Sequence, residues 1–261
     1  MLDINKLYLM DCLVFLDQID DETIDLAIID PPYNLKMAKW DTYNTKSEYF
    51  TFIFSWLDKL IKKLKITGSL YLFNTPYNSA YILPHLENQG MVFQNWITWD
   101  KRDGMAAIRA RFNKGQETIL FFTRSKKYTF NSDDIRIPYE STERIAHAQK
   151  KGILKNGKRW FPNPNGKLCP EVWHISSERH RNKNNGKTPK LLHVTPKPIK
   201  MLERMILASS NAGDLILDCF IGTGATAIAA KRLNRNYIGC DLDQEYLENA
   251  NKKLNEVEIQ C

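Results

Sequence analysis

Asp30-Pro31-Pro32-Tyr33 is the first group of residues with chemistry in it. Two successive prolines fix the backbone and supply no N–H, so the carbonyls around them point in set directions and stay open to outside donors. Asp30 adds a carboxylate acceptor and Tyr33 a flat ring. The exocyclic amino group of a nucleobase needs that set: an acceptor for each of its two hydrogens and a surface to stack on. The plainer reading is a proline turn with a capping aspartate. The second group is Leu217-Asp218-Cys219-Phe220-Ile221-Gly222-Thr223-Gly224-Ala225-Thr226-Ala227, followed by Asp241. Glycines between a strand and a helix let a ligand come close to the backbone, and the helix start offers free amides. An acid ending the next strand can accept both hydroxyls of a ribose. A nucleoside-containing cofactor fits, NAD included, although glycine also serves such turns for packing alone. The third group is His193-Val194-Thr195-Pro196-Lys197-Pro198, where Lys197 can pair with a carboxylate or merely sit in a proline-led helix start.

These groups need elements to hold them, and the apolar pattern supplies them. Asp25–Asp30 reads as a short buried strand ending at the first motif. Ser47–Leu64 has helical spacing, with Lys59, Lys62 and Lys63 on the polar face. A strand at Ser69–Phe73, a helix up to Gly90, and strands at Gln94–Trp99 and Glu117–Thr123 follow. A helix at Lys197–Leu207, a strand at Leu215–Asp218, an alanine-rich helix at Ala225–Leu233, a strand at Tyr237–Asp241 and a helix to about Leu254 close the chain. The alternation predicts an α/β fold with a doubly wound, mostly parallel sheet. Residues 130–190 interrupt it with a loop-rich stretch of Asn, Lys, Gly and Pro.

Charge divides the chain the same way. There are 37 Lys+Arg against 30 Asp+Glu, a net +7. Residues 144–190 hold twelve basic and two acidic residues, or +10, which leaves 25 − 28 = −3 for the rest. A slightly acidic body carries a basic segment, which suggests an anionic partner such as nucleic acid. No run of eighteen apolar residues exists, so no transmembrane helix is expected. The start lacks the pattern of a signal peptide. Five widely spaced cysteines without a Cys-x-x-Cys pair argue against disulfides or a metal site and fit a reducing cytoplasm.

Taken together, the chain resembles the DNA amino-methyltransferases that use S-adenosylmethionine. Their motif pair is Asp-Pro-Pro-Tyr for the target base and Phe-x-Gly-x-Gly for the cofactor, here Asp30–Tyr33 and Phe220–Gly224. The target motif precedes the basic segment and the cofactor motif follows it, as in the β group. Within that group the chain is most similar to the MboII-like modification enzymes of type IIS restriction systems. The resemblance covers nearly the whole chain, including Asp11 and Cys12, residues Phe112–Lys126 around Glu117, and Thr195–Pro198. Val194 departs from it, since the family usually has proline there.

The resemblance implies a Rossmann-like methyltransferase sheet. The catalytic domain would comprise residues 1–129 and 191–261, with 130–190 as a target-recognition insert. Asp30, Pro31, Pro32 and Tyr33 become catalytic, with Asp30 and the Pro31 carbonyl accepting the amino hydrogens. Cofactor contacts are implied for Asp30, for Phe220, Gly222 and Gly224 as a backbone cradle, and for Asp241 on the ribose. Thr195 and Lys197 would take the methionine carboxylate, and Asp11 and Cys12 the adenine pocket. Asp218 either faces the cofactor or caps the turn. No metal is implied.

Double-stranded DNA is the implied substrate, reached by flipping the base and stacking it on Tyr33. Arg102, Arg109, Arg111, Lys158, Arg159, Arg179, Arg181 and Lys183 are its candidate contacts. Neutralising about six phosphates would give a salt slope near −5. Asp-Pro-Pro-Tyr goes with adenine N6, and cytosine N4 is the alternative. A restriction endonuclease in the same system and a homodimer are further implications. RNA or protein amino-methylation is disfavoured by the basic segment. A non-catalytic DNA-binding module is disfavoured by the intact motifs, and an NAD oxidoreductase by Asp-Pro-Pro-Tyr. A C5-cytosine enzyme needs a Pro-Cys nucleophile, whereas Cys169 precedes Pro170. The large type I and type III subunits are excluded by length.

Overall fold

The computed structural model describes residues 2–101, 109–110, 112–177 and 196–258. Strand β1 (Lys6–Leu9) and helix α1 (Cys12–Asp17) lead to β2 (Ile24–Ile29), α2 (Lys46–Lys63), β3 (Leu64–Asn74), α3 (Pro76–Asn88), β4 (Val92–Asp100) and β5 (Gln116–Thr123). Then come α4 (Thr142–Lys151), β6 (Ile153–Lys155), β7 (Lys158–Trp160) and β8 (Val172–His174). The last part holds α5 (Ile199–Ser209), β9 (Leu215–Asp218), α6 (Ala225–Arg232), β10 (Asn236–Asp241) and α7 (Gln244–Asn255). Eight strands form one sheet in the order β1-β10-β9-β2-β3-β5-β4-β8, and β6 and β7 form a separate hairpin. Only β5 runs against its neighbours, β3 and β4; the other pairings in the large sheet are parallel.

Side chains alternate across the sheet with period two, and each central strand feeds both faces. Ala27, Ile29, Leu70, Leu72, Leu120 and Phe122 face α1, α2 and α3. Leu26, Ile28, Tyr71, Phe73, Ile119 and Phe121 face α5, α6 and α7. Helix α2 starts where the Thr45 hydroxyl accepts from the Glu48 N–H at 3.1 Å. It buries Ile53, Trp56, Leu57 and Leu60 on one stripe, each worth roughly 1.5–3 kcal/mol. Covering both faces requires the near-continuous apolar runs by which the strands were read.

The structure adds elements that periodicity did not expose. In β1 only Leu7 is buried, so no alternation marks it. Strand β3 begins five residues before the expected start, running straight out of α2 across an irregularity in its pairing with β2. Within 130–177 the chain forms α4, the β6–β7 hairpin and β8. Three-residue β8 docks on β4 through buried Trp173, opposite Trp99. Such short strands carry too few residues for a period to show. Among the described residues no helix is long and apolar enough to cross a membrane, and no group of three or more His, Cys, Asp or Glu could hold a metal ion.

Candidate functional site

Strand order reverses between β9 and β2, and in such a sheet a crevice opens beyond the strands' carboxyl ends. A cavity of about 440 Å³ lies at that end of the sheet. Residues just after β1 (Asp11, Cys12), β2 (Asp30–Tyr33), β9 (Cys219, Phe220) and β10 (Leu242, Asp243) line it, with Asp241 and Lys197. The two motifs, nearly two hundred residues apart, thus share one hollow.

On the target side a ring of charges surrounds Asp30. Tyr33 donates its hydroxyl to Asp30 Oδ1 at 2.7 Å and lies 3.2 Å from Glu117 Oε2. The Lys197 ammonium is 2.6 Å from Asp30 Oδ2 and 3.5 Å from Glu117 Oε2, and Lys101 caps Glu117 from the other side. The rings of Tyr33, Phe73 and Trp99 surround the Lys197 charge at 5.2–6.0 Å. Burial would push Lys197 down, but Asp30 and Glu117 outweigh it and raise its pKa. Burial pushes Glu117 up, and Lys197 and Lys101 more than reverse that. Burial, together with the charges of Asp30 and Glu117, lifts the Tyr33 phenol well above its ordinary value. It stays a neutral donor.

The backbone behind this ring is held from two directions. The buried Asp41 carboxylate accepts four amides: Tyr33 and Asn34 at 2.7 Å on Oδ1, Leu35 at 2.9 Å and Met37 at 3.3 Å on Oδ2. The Tyr49 hydroxyl donates to the Pro32 carbonyl at 3.0 Å, and the Asn78 amide donates to the Tyr33 carbonyl at 2.9 Å. Pro32 is thereby occupied from behind, and Pro31 lies on the cavity wall. Asp41, Tyr49, Asn78 and Lys101 were not read as site residues. None sits in a motif; Asp41, Tyr49 and Asn78 meet the 30–33 segment only through the fold, and Lys101 meets Glu117. Glu117 was noted only within a stretch of resemblance.

On the cofactor side the bonds are short-range. Asp218 accepts from the Phe220 amide at 3.0 Å and from the Thr226 hydroxyl at 2.7 Å. Burial lifts its carboxyl to about 7 against those two bonds, and the charges of Asp30 and Asp241 add to the rise. Asp241 accepts from the Gly222 amide at 2.8 Å and from the Asp243 amide at 3.0 Å. Phe220 wedges between the cavity and the rings of Trp56 and Phe52. Gly222 and Gly224 have φ of 49° and 82°. A Cβ on Gly224 would lie 2.6 Å from Ala250 Cβ, so this glycine lets α7 pack against the turn. Asp11 caps α1 through the amides of Leu13 and Val14. The Cys12 thiol is raised to about 12, by burial and then by the Asp11 charge.

The two motif halves and Lys197 therefore meet at one cavity, with the Lys197 charge directed at Asp30 and Glu117. Arg109 is exposed, as are Lys158 and Arg159 on the β6–β7 hairpin, where Arg159 donates to the Lys151 carbonyl at 2.8 Å. Trp160 and Phe161 follow them at the surface. Arg102, Arg111, Arg179, Arg181, Lys183 and Thr195 lie outside the described residues.

Comparison with known proteins gives one family. The profile of the DNA methylase family of N6 and N4 enzymes matches residues 24–252. The type II methyltransferase M1.MboII of Moraxella bovis is 60% identical over 259 residues, which is 99% of this chain and 100% of that protein. Among solved structures, M1.HpyAVI in complex with S-adenosylmethionine superposes with a TM-score of 0.61 at 24% identity, covering 95% of this chain and 99% of that one. The cytosine-N4-specific PvuII DNA methyltransferase gives 0.67 at 17% identity, covering 97% and 90%.

Proposed function

The chain belongs to the N6/N4 DNA methylase family and is a DNA methyltransferase of the restriction–modification type, and from that premise we propose that it methylates N6 of adenine in duplex DNA with S-adenosylmethionine as donor. One observation carries the reading: Asp30–Tyr33 and the Phe220–Asp241 side face each other across one cavity. The cavity suits the cofactor. Asp11, Asp30 and Asp241 give an anionic wall for a cationic sulfonium, and Phe220 and Met10 give it apolar surface. Bound S-adenosylmethionine supplies an activated methyl group, so the protein is left with positioning and electrostatics.

Asp241 takes the ribose hydroxyls, for which each of its oxygens keeps acceptor capacity beyond one amide. Asp218, Phe220, Gly222 and Gly224 shape the turn beneath, and Asp11 and Cys12 close the far end. Asp30 Oδ1 and the Pro31 carbonyl accept the two N6 hydrogens, which draws the nitrogen lone pair out of the ring. Asp30 is the acceptor positioned for the proton that leaves. Tyr33 now holds Oδ1, so its hydroxyl gives way when the base enters and its ring becomes the stacking surface. Lys197 keeps Oδ2 fixed and so orients the carboxylate. Its assignment to the methionine carboxylate, shared with Thr195, requires that ion pair to open.

The insert at 130–190 reads the DNA sequence, with Lys158, Arg159, Arg179, Arg181 and Lys183 as contacts. Arg102, Arg109 and Arg111 approach the DNA from the loop after β4. A restriction endonuclease of the same system and a homodimer complete the setting. The test is Asp30→Ala with tritiated cofactor, beside modified-base sequencing of DNA from cells expressing the parent. The expected result is N6-methyladenine at one short sequence and no transfer by the variant. Full turnover by Asp30→Ala, or N4-methylcytosine in the DNA, would overturn the proposal.

A further inference from the structure

Beside the target motif, at the same end of the sheet, is a second aromatic and cationic feature that the mechanism does not use. Helix α3 starts one residue after β3, so its first turn stands at the carboxyl edge. Asn78 in that turn reaches back to the Tyr33 carbonyl. Its neighbour Tyr77 points the other way and is 61% exposed, and Tyr81, one turn on, is 46% exposed. Their rings meet edge to face at 5.3 Å. Lys46, the first residue of α2, donates to the Tyr77 hydroxyl at 2.9 Å and sits 3.4 Å from the Tyr81 ring centroid. Tyr81 rests in turn on the Phe50 ring at 5.2 Å, so two exposed rings and an exposed ammonium are held against the edge of the core.

The neighbourhood is cationic. The loop joining Tyr33 to α2 carries exposed Lys36 and Lys39, and its aspartate, Asp41, is buried under four amides. Glu48, two residues on from Lys46, accepts from the Asn44 amide at 3.1 Å. A rigid aromatic pair with a fixed lysine combines two kinds of recognition. The ammonium suits a phosphate and the ring faces suit bases that have lost a stacking neighbour. Holding these side chains in place beforehand lowers the ordering cost of association.

Resting on the function proposed above, we propose that Lys46, Tyr77 and Tyr81 form a contact surface for the DNA strand beside the extruded base, separate from the basic insert. Lys46 holds a phosphate and the tyrosines stack on bases unpaired by the extrusion. Tyr77 and Lys46 lie at the surface, and Tyr81 rests on the Phe50 ring at 5.2 Å, so the unfolding midpoint of each variant is measured beside its binding.

The experiment is fluorescence anisotropy with a fluorescein-labelled duplex carrying the mapped site. Parent protein, Lys46→Gln and the double variant Tyr77→Ala/Tyr81→Ala are compared across salt concentrations, with calorimetry of cofactor binding alongside. The double variant is expected to bind DNA at least about tenfold more weakly, a loss of about 1.4 kcal/mol that the lower end of ~1–3 kcal/mol of stacking on each of two bases already exceeds. Lys46→Gln should flatten the salt slope by about 0.9, the share of one phosphate. Cofactor affinity should not move in either. Parental DNA affinity and parental salt slope in both variants would overturn this surface while leaving the methyltransferase assignment in place. A parent that neither binds nor methylates the duplex would overturn the assignment itself.

Discussion

The two walls of the cavity are built by different means. The cofactor wall is made of local bonds: Asp218 to Phe220 and Thr226, Asp241 to Gly222 and Asp243, all within nineteen residues. The target wall centres on charges brought from far apart, Asp30, Glu117 and Lys197, with Lys101 on Glu117 and Asp41 gathering nearby amides behind them. The bonds of Asp218, and of Asp241 to the Asp243 amide, form with the turns themselves, whereas the bond of Asp241 to the Gly222 amide needs β10 paired beside β9. The charge ring exists only once β2, β5 and the start of α5 are in place, and Lys197 and Glu117 then stabilise each other's ionised form. One wall should therefore respond to mutation as a turn does, the other as a cooperative cluster.

Lys197→Met tests this most severely. It removes the cation shared by half-buried Asp30 and buried Glu117, leaving Lys101 on Glu117 and the Tyr33 hydroxyl on Asp30, and should cost up to about 3–5 kcal/mol in urea unfolding. A loss below about 1 kcal/mol would break the comparison. Glu117 adds a sign to check. Its carboxyl is held below the ordinary 4.5, so its stabilisation is present above that value and is lost as pH falls through the folded pKa. The deficit of Lys197→Met should accordingly be largest above pH 4.5 and shrink in acid.

Asp41→Ala comes next. It leaves four loop amides without their acceptor, and at about 1–3 kcal/mol for a buried unsatisfied group it should lower stability and methyl transfer together. Calorimetric cofactor affinity should change less than kcat, which would separate the two walls. On the other wall, Gly224→Ala forces a Cβ against Ala250 at positive φ. Thermal unfolding should register a loss of about 1–3 kcal/mol, the usual cost of overpacking. If this variant costs more than Lys197→Met, the ranking of the two walls is reversed.

Asp218→Asn is the subtlest. The folded carboxyl is raised from 3.8 to about 7, so its contribution favours folding below 3.8 and is lost as pH rises towards 7. The amide cannot ionise. Stability of the variant relative to the parent should rise between those pH values and level off above. A pH-independent difference would show that folding leaves the Asp218 pKa where it is in the unfolded chain.

How far the sequence could be read follows the same division. The strands ending in Asp30, Asp218 and Asp241 were legible because both sheet faces are covered, which demands continuous apolar runs. The glycine turn was legible because positive φ selects glycine within a few residues. Lys197 was singled out, yet its partner was not, because no spacing rule connects residue 197 to residues 30 and 117. Asp41 and Tyr49 left no sign, since any acid or tyrosine looks the same until the loop folds over it. Gly224 is expected in a ligand cradle, and what the structure shows there is a packing contact with α7.

The sequence by itself determined the doubly wound sheet, the order of its two motifs and the +10 segment between them. Each of these follows from residue type at short spacing. Only the tertiary structure decided that Lys197 faces Asp30, that Pro32 rather than Pro31 is held from behind, and that β8 adds residues 172–174 to the main sheet. The physical reason is that hydrogen bonds and ion pairs act over a few ångströms of space. Distance along the chain does not register until the sheet has brought the ends of its strands together.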